Sequence, residues 1–188
     1  HFFTKYTQAG ASSRYRSLQY IPFLERLGWD VQVSPLFNDE YLSQKYRLGK
    51  ANKIQVLRAY ARRLVQVLHL PRKSLVVVEY ELFPYLPALL ERLLFIRGIN
   101  MIVDYDDALF HQYDQHTHPL VRLMLSKKIS TVMRLSHSVI AGNAYLAQYA
   151  LQAASRRVMT LPTVIDLAKY DSRTARASKP LIIGWVGS

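Results

Sequence analysis

The chain has 188 residues, half of them hydrophobic, with 25 Lys and Arg against 13 Asp and Glu for a net charge of +12, and it contains no cysteine. That length can bury one substantial core with part of another, and the lack of cysteine excludes a disulfide framework and a thiolate metal site. The longest apolar stretch, Leu82 to Ile96, is interrupted by Glu91 and Arg92 and holds two prolines, so it falls short of the roughly 20 apolar residues of a spanning helix. With no secretory leader in view, the expectation is a soluble chain, and His1 running straight into Phe2-Phe3 is expected to lie inside a longer reading frame.

In chain order, Phe2-Phe3 reads as the remainder of a strand and Gly10 to Ser13 as a loop. Ser12 or Ser13 is expected to cap a helix that runs to Leu27, kinked by Pro22 and stopped by Gly28. Asp30 to Ser34 reads as a short strand. Ile54, Leu57, Ala61, Leu64 and Leu68 then trace a helical stripe whose other face holds the basic residues. Leu75 to Tyr80 is a buried strand, and Pro84 and Pro87 suit the first turn of a helix through Ile96 that Gly98 closes. Strand Asn100 to Asp104, helix Pro119 to Leu135, strand His137 to Ala141, helix Asn143 to Gln152 and strand Val158 to Leu161 complete the alternation. Regular alternation with continuous apolar strands implies an α/β fold with a doubly wound parallel sheet. Asp166 to Pro180 is polar and reads as a linker, and Leu181 to Val186 as a buried strand that opens a second α/β domain.

The charge is uneven. Tyr41 to Lys73 contains no acid but carries Lys45, Arg47, Lys50, Lys53, Arg58, Arg62, Arg63, Arg72 and Lys73. Gln115 to Ile165 is likewise free of acids, with Arg122, Lys127, Lys128, Arg134, Arg156 and Arg157. Such stretches suit an anionic partner: nucleic acid, a phosphate-rich substrate or an anionic membrane surface. The basic stretches hold few of the aromatic and glycine positions of single-strand platforms, which argues against nucleic acid. A basic binding module without catalysis stays open as a reading, as does a solvated basic face with no partner.

The most informative stretch is Met101 to Phe110, where an apolar run delivers Asp104, Asp106 and Asp107 to the carboxyl end of a strand. In open α/β sheets ligands bind at that edge, and like charges crowded together need a reason. Acids that merely end a strand and cap the next element are the plain alternative. Asp104 and Asp106 match the nucleophile and general acid of haloacid-dehalogenase-like phosphatases, although Asp107-Ala108 follows where those enzymes carry Gly-Thr or a close variant. The same Asp-x-Asp is formally that of a metal-dependent sugar transferase.

Several ordered motifs together resemble family 4 glycosyltransferases of the two-domain B-type fold. They are Gly10-Ala11-Ser12-Ser13-Arg14-Tyr15-Arg16, Leu18 to Leu24, Gly28-Trp29-Asp30-Val31, Glu79 to Pro84, Val103 to Phe110, Val139 to Ala147, Leu161 to Asp166 and Ile183 to Ser188. The resemblance spans essentially the whole chain. It implies a Rossmann-like acceptor-side domain over residues 1–165, a linker over 166–180 and, over 181–188, the first strand of a donor-binding domain whose remainder is missing here. It further implies retaining transfer from a nucleotide-sugar donor to a glycan or lipid-linked acceptor, with the nucleotide sugar as co-substrate and no cofactor or metal. Asp106 and Asp107 would flank the reacting sugar, orienting hydroxyls and stabilising positive charge at the anomeric carbon. Gly10, Ala11, Ser12 and Arg14 would line the cleft floor, where backbone N–H groups approach a phosphate or sugar, with Arg16 as a second source of charge. Glu81, Gly142 and Asn143 would complete the acceptor side, although Glu81 and Asn143 suit helix capping as well. Many members carry a histidine in this region, and the equivalence of His111 is left open; His116 and His118 read as loop residues. The expected location is the cytoplasm, with peripheral attachment at the inner face of the membrane compatible with a lipid-linked acceptor.

Overall fold

The computed structural model describes residues 1–49 and 52–167. The expected strand at 181–186 and all but the first two residues of the expected linker lie outside them. Six strands form one sheet in the order β2-β1-β3-β4-β5-β6, with every neighbouring pair parallel. They are β1 (Phe2–Thr4), β2 (Val33–Pro35), β3 (Leu75–Glu79), β4 (Asn100–Tyr105), β5 (Ser138–Ala141) and β6 (Val158–Thr160). The α/β class with a Rossmann-like parallel sheet is therefore what the chain adopts.

Strand order determines which face each connection covers. Crossovers between parallel strands are right-handed, so the connections that step from β2 through β6 share one face and the reverse step from β1 to β2 takes the other. The first face packs Phe3, Val76, Val78, Met101, Val103, Val139 and Ala141 against Val67, Leu94, Ile129, Val132, Met133 and Leu146 in one core. Their helices are α3 (Lys53–Leu68), α4 (Leu89–Ile96), α7 (Lys128–Leu135) and α8 (Ala144–Gln152). Full burial of one such aliphatic side chain contributes about 1.5–3 kcal/mol. The second face presents Phe2, Val77, Ile102 and Ile140, which together with Tyr20, Phe23 and Leu24 line a cavity of about 400 Å³.

The segment expected as one helix from Ser12 to Leu27 is three short pieces. A π-helical turn (Ser13–Ser17) passes into a 3-10 turn (Leu18–Tyr20) and then into α1 (Ile21–Arg26). The wide turn brings Ser13, Arg16 and Ser17 to the sheet side together. Pro22, which lacks an N–H, opens α1 instead of kinking a continuous helix. Neither Ser12 nor Ser13 caps the segment; the Ser13 hydroxyl is taken by Glu79.

Helix α2 (Asp39–Leu48) was absent from the sequence reading, although Asn38 caps it by accepting from Tyr41 N at 3.0 Å and Gly49 closes it at φ 63°. In α3 the apolar stripe is not the face that packs on the sheet. Ala59, Arg63 and Val67 face inward, while Ile54, Leu57, Ala61, Leu64 and Leu68 face solvent. The inward Arg63 is satisfied because its guanidinium donates to Thr4 O at 3.0 Å and Ser34 O at 2.9 Å and lies 4.6 Å from the Phe3 ring. Helix α4 starts at Leu89 because Tyr85, between the two prolines, is left-handed at φ 58°. The helix expected over Pro119 to Leu135 divides into α6 (Pro119–Leu125) and α7, and Lys128 at the break turns into the core; α5 (His111–Asp114) is a further short helix. Among the described residues no helix is long and apolar enough to cross a membrane.

Candidate functional site at the carboxyl edge

In an all-parallel sheet every strand exits at the same edge, so Gly10, Glu81, Asp106 and Gly142, which follow β1, β3, β4 and β5, come to one rim. The β1 exit loop is tied down by Glu79. One oxygen of its carboxylate accepts from Ser13 Oγ at 2.6 Å and from Lys5 N at 3.0 Å, while the other is buried without a partner. Burial pushes the Glu79 carboxyl up to about 7, against the pull of those two hydrogen bonds. Gly10 is needed because a Cβ there would meet Tyr6 Cβ at 2.5 Å. Its N–H donates to Thr7 O at 3.1 Å, so this glycine closes the loop on Tyr6 and its amide is already engaged.

The three acids at the exit of β4 have separate environments. Asp104 is buried and held by Arg16, whose Nε donates to Oδ2 at 3.0 Å and whose second terminal nitrogen pairs with Oδ1. The remaining nitrogen of Arg16 donates to Leu161 O, which fastens the chain leaving β6. Burial opposes the Arg16 charge, but its bonds and attraction to Asp104 outweigh this and raise its pKa. Asp106 accepts from the hydroxyl of Tyr80, which lies 3.2 Å from Ser12 Oγ. Tyr80 stands at φ 63°, a left-handed conformation that aims its ring along the rim. Burial first, then the Asp106 charge, raises the Tyr80 phenol. Asp107 alone of the three is exposed, with its carboxyl raised by burial and by Asp106 and drawn back by Lys5.

Lys5, just beyond β1, brings a cation to this rim, its ammonium 5.4 Å from the Tyr80 ring and 5.7 Å from that of Tyr6. Burial lowers its pKa, opposed by the charges of Glu81, Glu79 and Asp107. Neither Lys5 nor the hydroxyl of Tyr80 was singled out from the sequence. Lys5 was accessible to that reading, since it follows a strand at the ligand-binding edge; the left-handed turn of Tyr80 was not.

Gly142 brings β5 against β4: a Cβ there would lie 3.0 Å from Asp106 Cα and 3.2 Å from Tyr105 O. Asn143 caps α8, its Oδ1 accepting from Leu146 N at 3.0 Å. Ala11 is exposed beside Ser12, while Arg14 donates to Gln8 O at 2.8 Å and stacks on Tyr15 at 4.8 Å. Glu81 turns away from the rim. Its carboxylate is buried, ion-paired with Lys128 and accepting from Tyr113 Oη at 2.7 and 2.9 Å, so it is occupied internally. His111 is bonded to Tyr145 Oη at 2.8 Å and Asp114 Oδ1 at 3.1 Å. Among the described residues, no three His, Asp or Glu side chains are grouped to hold a metal ion.

Together these features define a parallel α/β protein whose carboxyl edge offers an exposed carboxylate, a second one held by a phenol, and a half-buried ammonium. Compared with known proteins, the chain matches no family model, no curated protein and no solved structure.

Proposed function

We propose that this chain supplies the acceptor-side wall of a retaining glycosyltransferase that takes a nucleotide sugar as donor and a glycan or lipid-linked acceptor. One observation carries the reading: of the acids at 104–107, Asp104 is neutralised internally by Arg16 and Asp106 is held by Tyr80, which leaves Asp107 open at the rim. In such a transfer the fixed carboxylate would keep the geometry, and the open one would hydrogen-bond hydroxyls and stabilise a developing oxocarbenium ion. The departing phosphate oxygen takes the acceptor proton, so the chain supplies no dedicated base. Gly142 sets how near the Asn143 backbone stands to Asp106, and Ser12 and Lys5 border the same space.

The phosphoaspartyl alternative requires a free Asp104 nucleophile, whereas Arg16 holds both of its oxygens. A transferase site with one wall cannot hold the sugar carbon and acceptor oxygen at about 3 Å or exclude water. Residues 1–188 alone should therefore be inactive, and the longer protein that the proposal requires should transfer sugar without added divalent metal. In that protein Asp107→Asn should lower kcat at least tenfold and leave the urea midpoint unchanged. Turnover by residues 1–188 alone, or a phosphatase activity abolished by Asp104→Ala, would overturn the proposal.

A further inference from the structure

The solvent side of α3 carries apolar side chains at spacings of three and four residues: Ile54, Leu57, Ala61, Leu64 and Leu68. Leu57 is 71% exposed and Ile54 62%. At about 1.5 Å per residue the stripe is roughly 21 Å long, a continuous apolar face with nothing packed on it among the described residues. The opposite face is fixed to the sheet through Arg63 and Val67, so rotation of the helix cannot hide the stripe.

Charge decides what covers it. The helix contains no acid, and Lys53 and Arg58 stand on the two flanks of the stripe, where a 3.6-residue period places them at opposite margins. Arg62 is set further back and donates to Pro35 O and Leu36 O. A second copy of the chain would bring the same acid-free helix and another +12 charges against this one. An anionic lipid surface complements both features at once: the aliphatic stripe enters the acyl boundary and the flanking cations meet the phosphates. We infer that α3 is an in-plane docking helix for anionic membranes, seated by Leu57 and Leu64 and steered by Lys53 and Arg58. This surface is separate from the carboxyl-edge rim and does not depend on sugar transfer.

The test is cosedimentation of the full chain with phosphatidylcholine vesicles made with and without phosphatidylglycerol, at low and high salt. The chain should partition onto the phosphatidylglycerol vesicles and be released by salt. The Leu57→Ser/Leu64→Ser variant should lose binding at least about tenfold while keeping a cooperative urea transition, because both side chains are solvent-facing. Arg58→Gln should weaken binding and flatten its salt dependence. A Leu64→Trp reporter should shift its emission to the blue on vesicles. Absence of binding to phosphatidylglycerol vesicles, unchanged binding of the double serine variant, or a reporter that stays in water would overturn the inference. So would light scattering that finds a wild-type dimer which the serine variant converts to monomer, since the stripe would then belong to a second copy.

Discussion

Removing Arg16 tests the internal assignment of Asp104. The two side chains are 2% and 5% exposed, so Arg16→Ala leaves a carboxylate in a dry site where burial and the neighbouring Asp106 charge both push it towards protonation. The cost can be worked in two ways. A stripped carboxylate can at most take up a proton, and at pH 7 that costs about 1.4 kcal/mol for each unit above its ordinary value near 3.9, or about 4 kcal/mol. Breaking a buried pair by deleting one partner costs about 3–5 kcal/mol in general. The two agree, and the lost bond to Leu161 O adds about 1 kcal/mol. The pH dependence follows from the sign: in the variant the folded-state pKa of Asp104 lies above its unfolded value, so the penalty grows as pH rises through that interval and shrinks on acidification towards 4. Urea unfolding followed by circular dichroism should show a midpoint lowered at unchanged slope, with the deficit much smaller near pH 4. Arg16→Met with Asp104→Leu should recover most of the loss, because an apolar pair leaves no charge uncompensated. A deficit below about 1 kcal/mol at pH 7, or one that is flat with pH, would refute the buried-pair account and return Asp104 to the candidate nucleophiles.

Two further predictions use the same rim. Glu79, raised by burial from 4.5 to about 7, keeps its proton in the folded state across that window while the unfolded chain releases it; stability should therefore fall by about 3 kcal/mol as pH rises from 4.5 to 7, then level off. Glu79→Gln should flatten that slope in urea titrations across the window, leaving only what the raised Glu91, Asp104 and Asp107 carboxyls add in the same direction, and an unchanged slope would place the titration elsewhere. Gly142→Ala puts a methyl 3.0 Å from Asp106 Cα, a backbone neighbour that cannot rotate away, and should cost about 1–3 kcal/mol by thermal or urea unfolding; a neutral substitution would show that β4 and β5 can separate freely.

Much of the fold was legible because buried parallel strands are short continuous apolar runs, and Leu75–Glu79, Asn100–Tyr105 and Ser138–Ala141 each fall within a residue or so of that expectation. Helix orientation was less legible for a physical reason. Periodicity in α3 reveals that one stripe is apolar, but the face that packs is the one whose polar members can be satisfied, and the carbonyls of Thr4 and Ser34 satisfy Arg63. An apolar stripe left outside has no such local sign. The fractured segment from Ser13 to Arg26 has a similar cause: local propensity favours one helix, whereas Ser13 and Arg16 must reach two different buried acids.

The convergence of these acids on one sheet edge was legible, and their separate environments were not. Three acids at a strand exit mark an edge where ligands bind, and that inference needs only local sequence. The role of each acid depends on partners far along the chain: Arg16 lies 88 residues from Asp104, Tyr80 lies 26 from Asp106, and Lys128 lies 47 from Glu81 by their numbering. A carboxylate clamped by a buried guanidinium has lost its nucleophilic pair to structure, and one clamped by a buried ammonium and a phenol has lost its reach to the rim. Those partners therefore hold Asp104 and Glu81 inside the fold and leave Asp107, with Asp106 and Lys5 beside it, as the carboxylate open at this rim, the one on which the proposed transfer would depend.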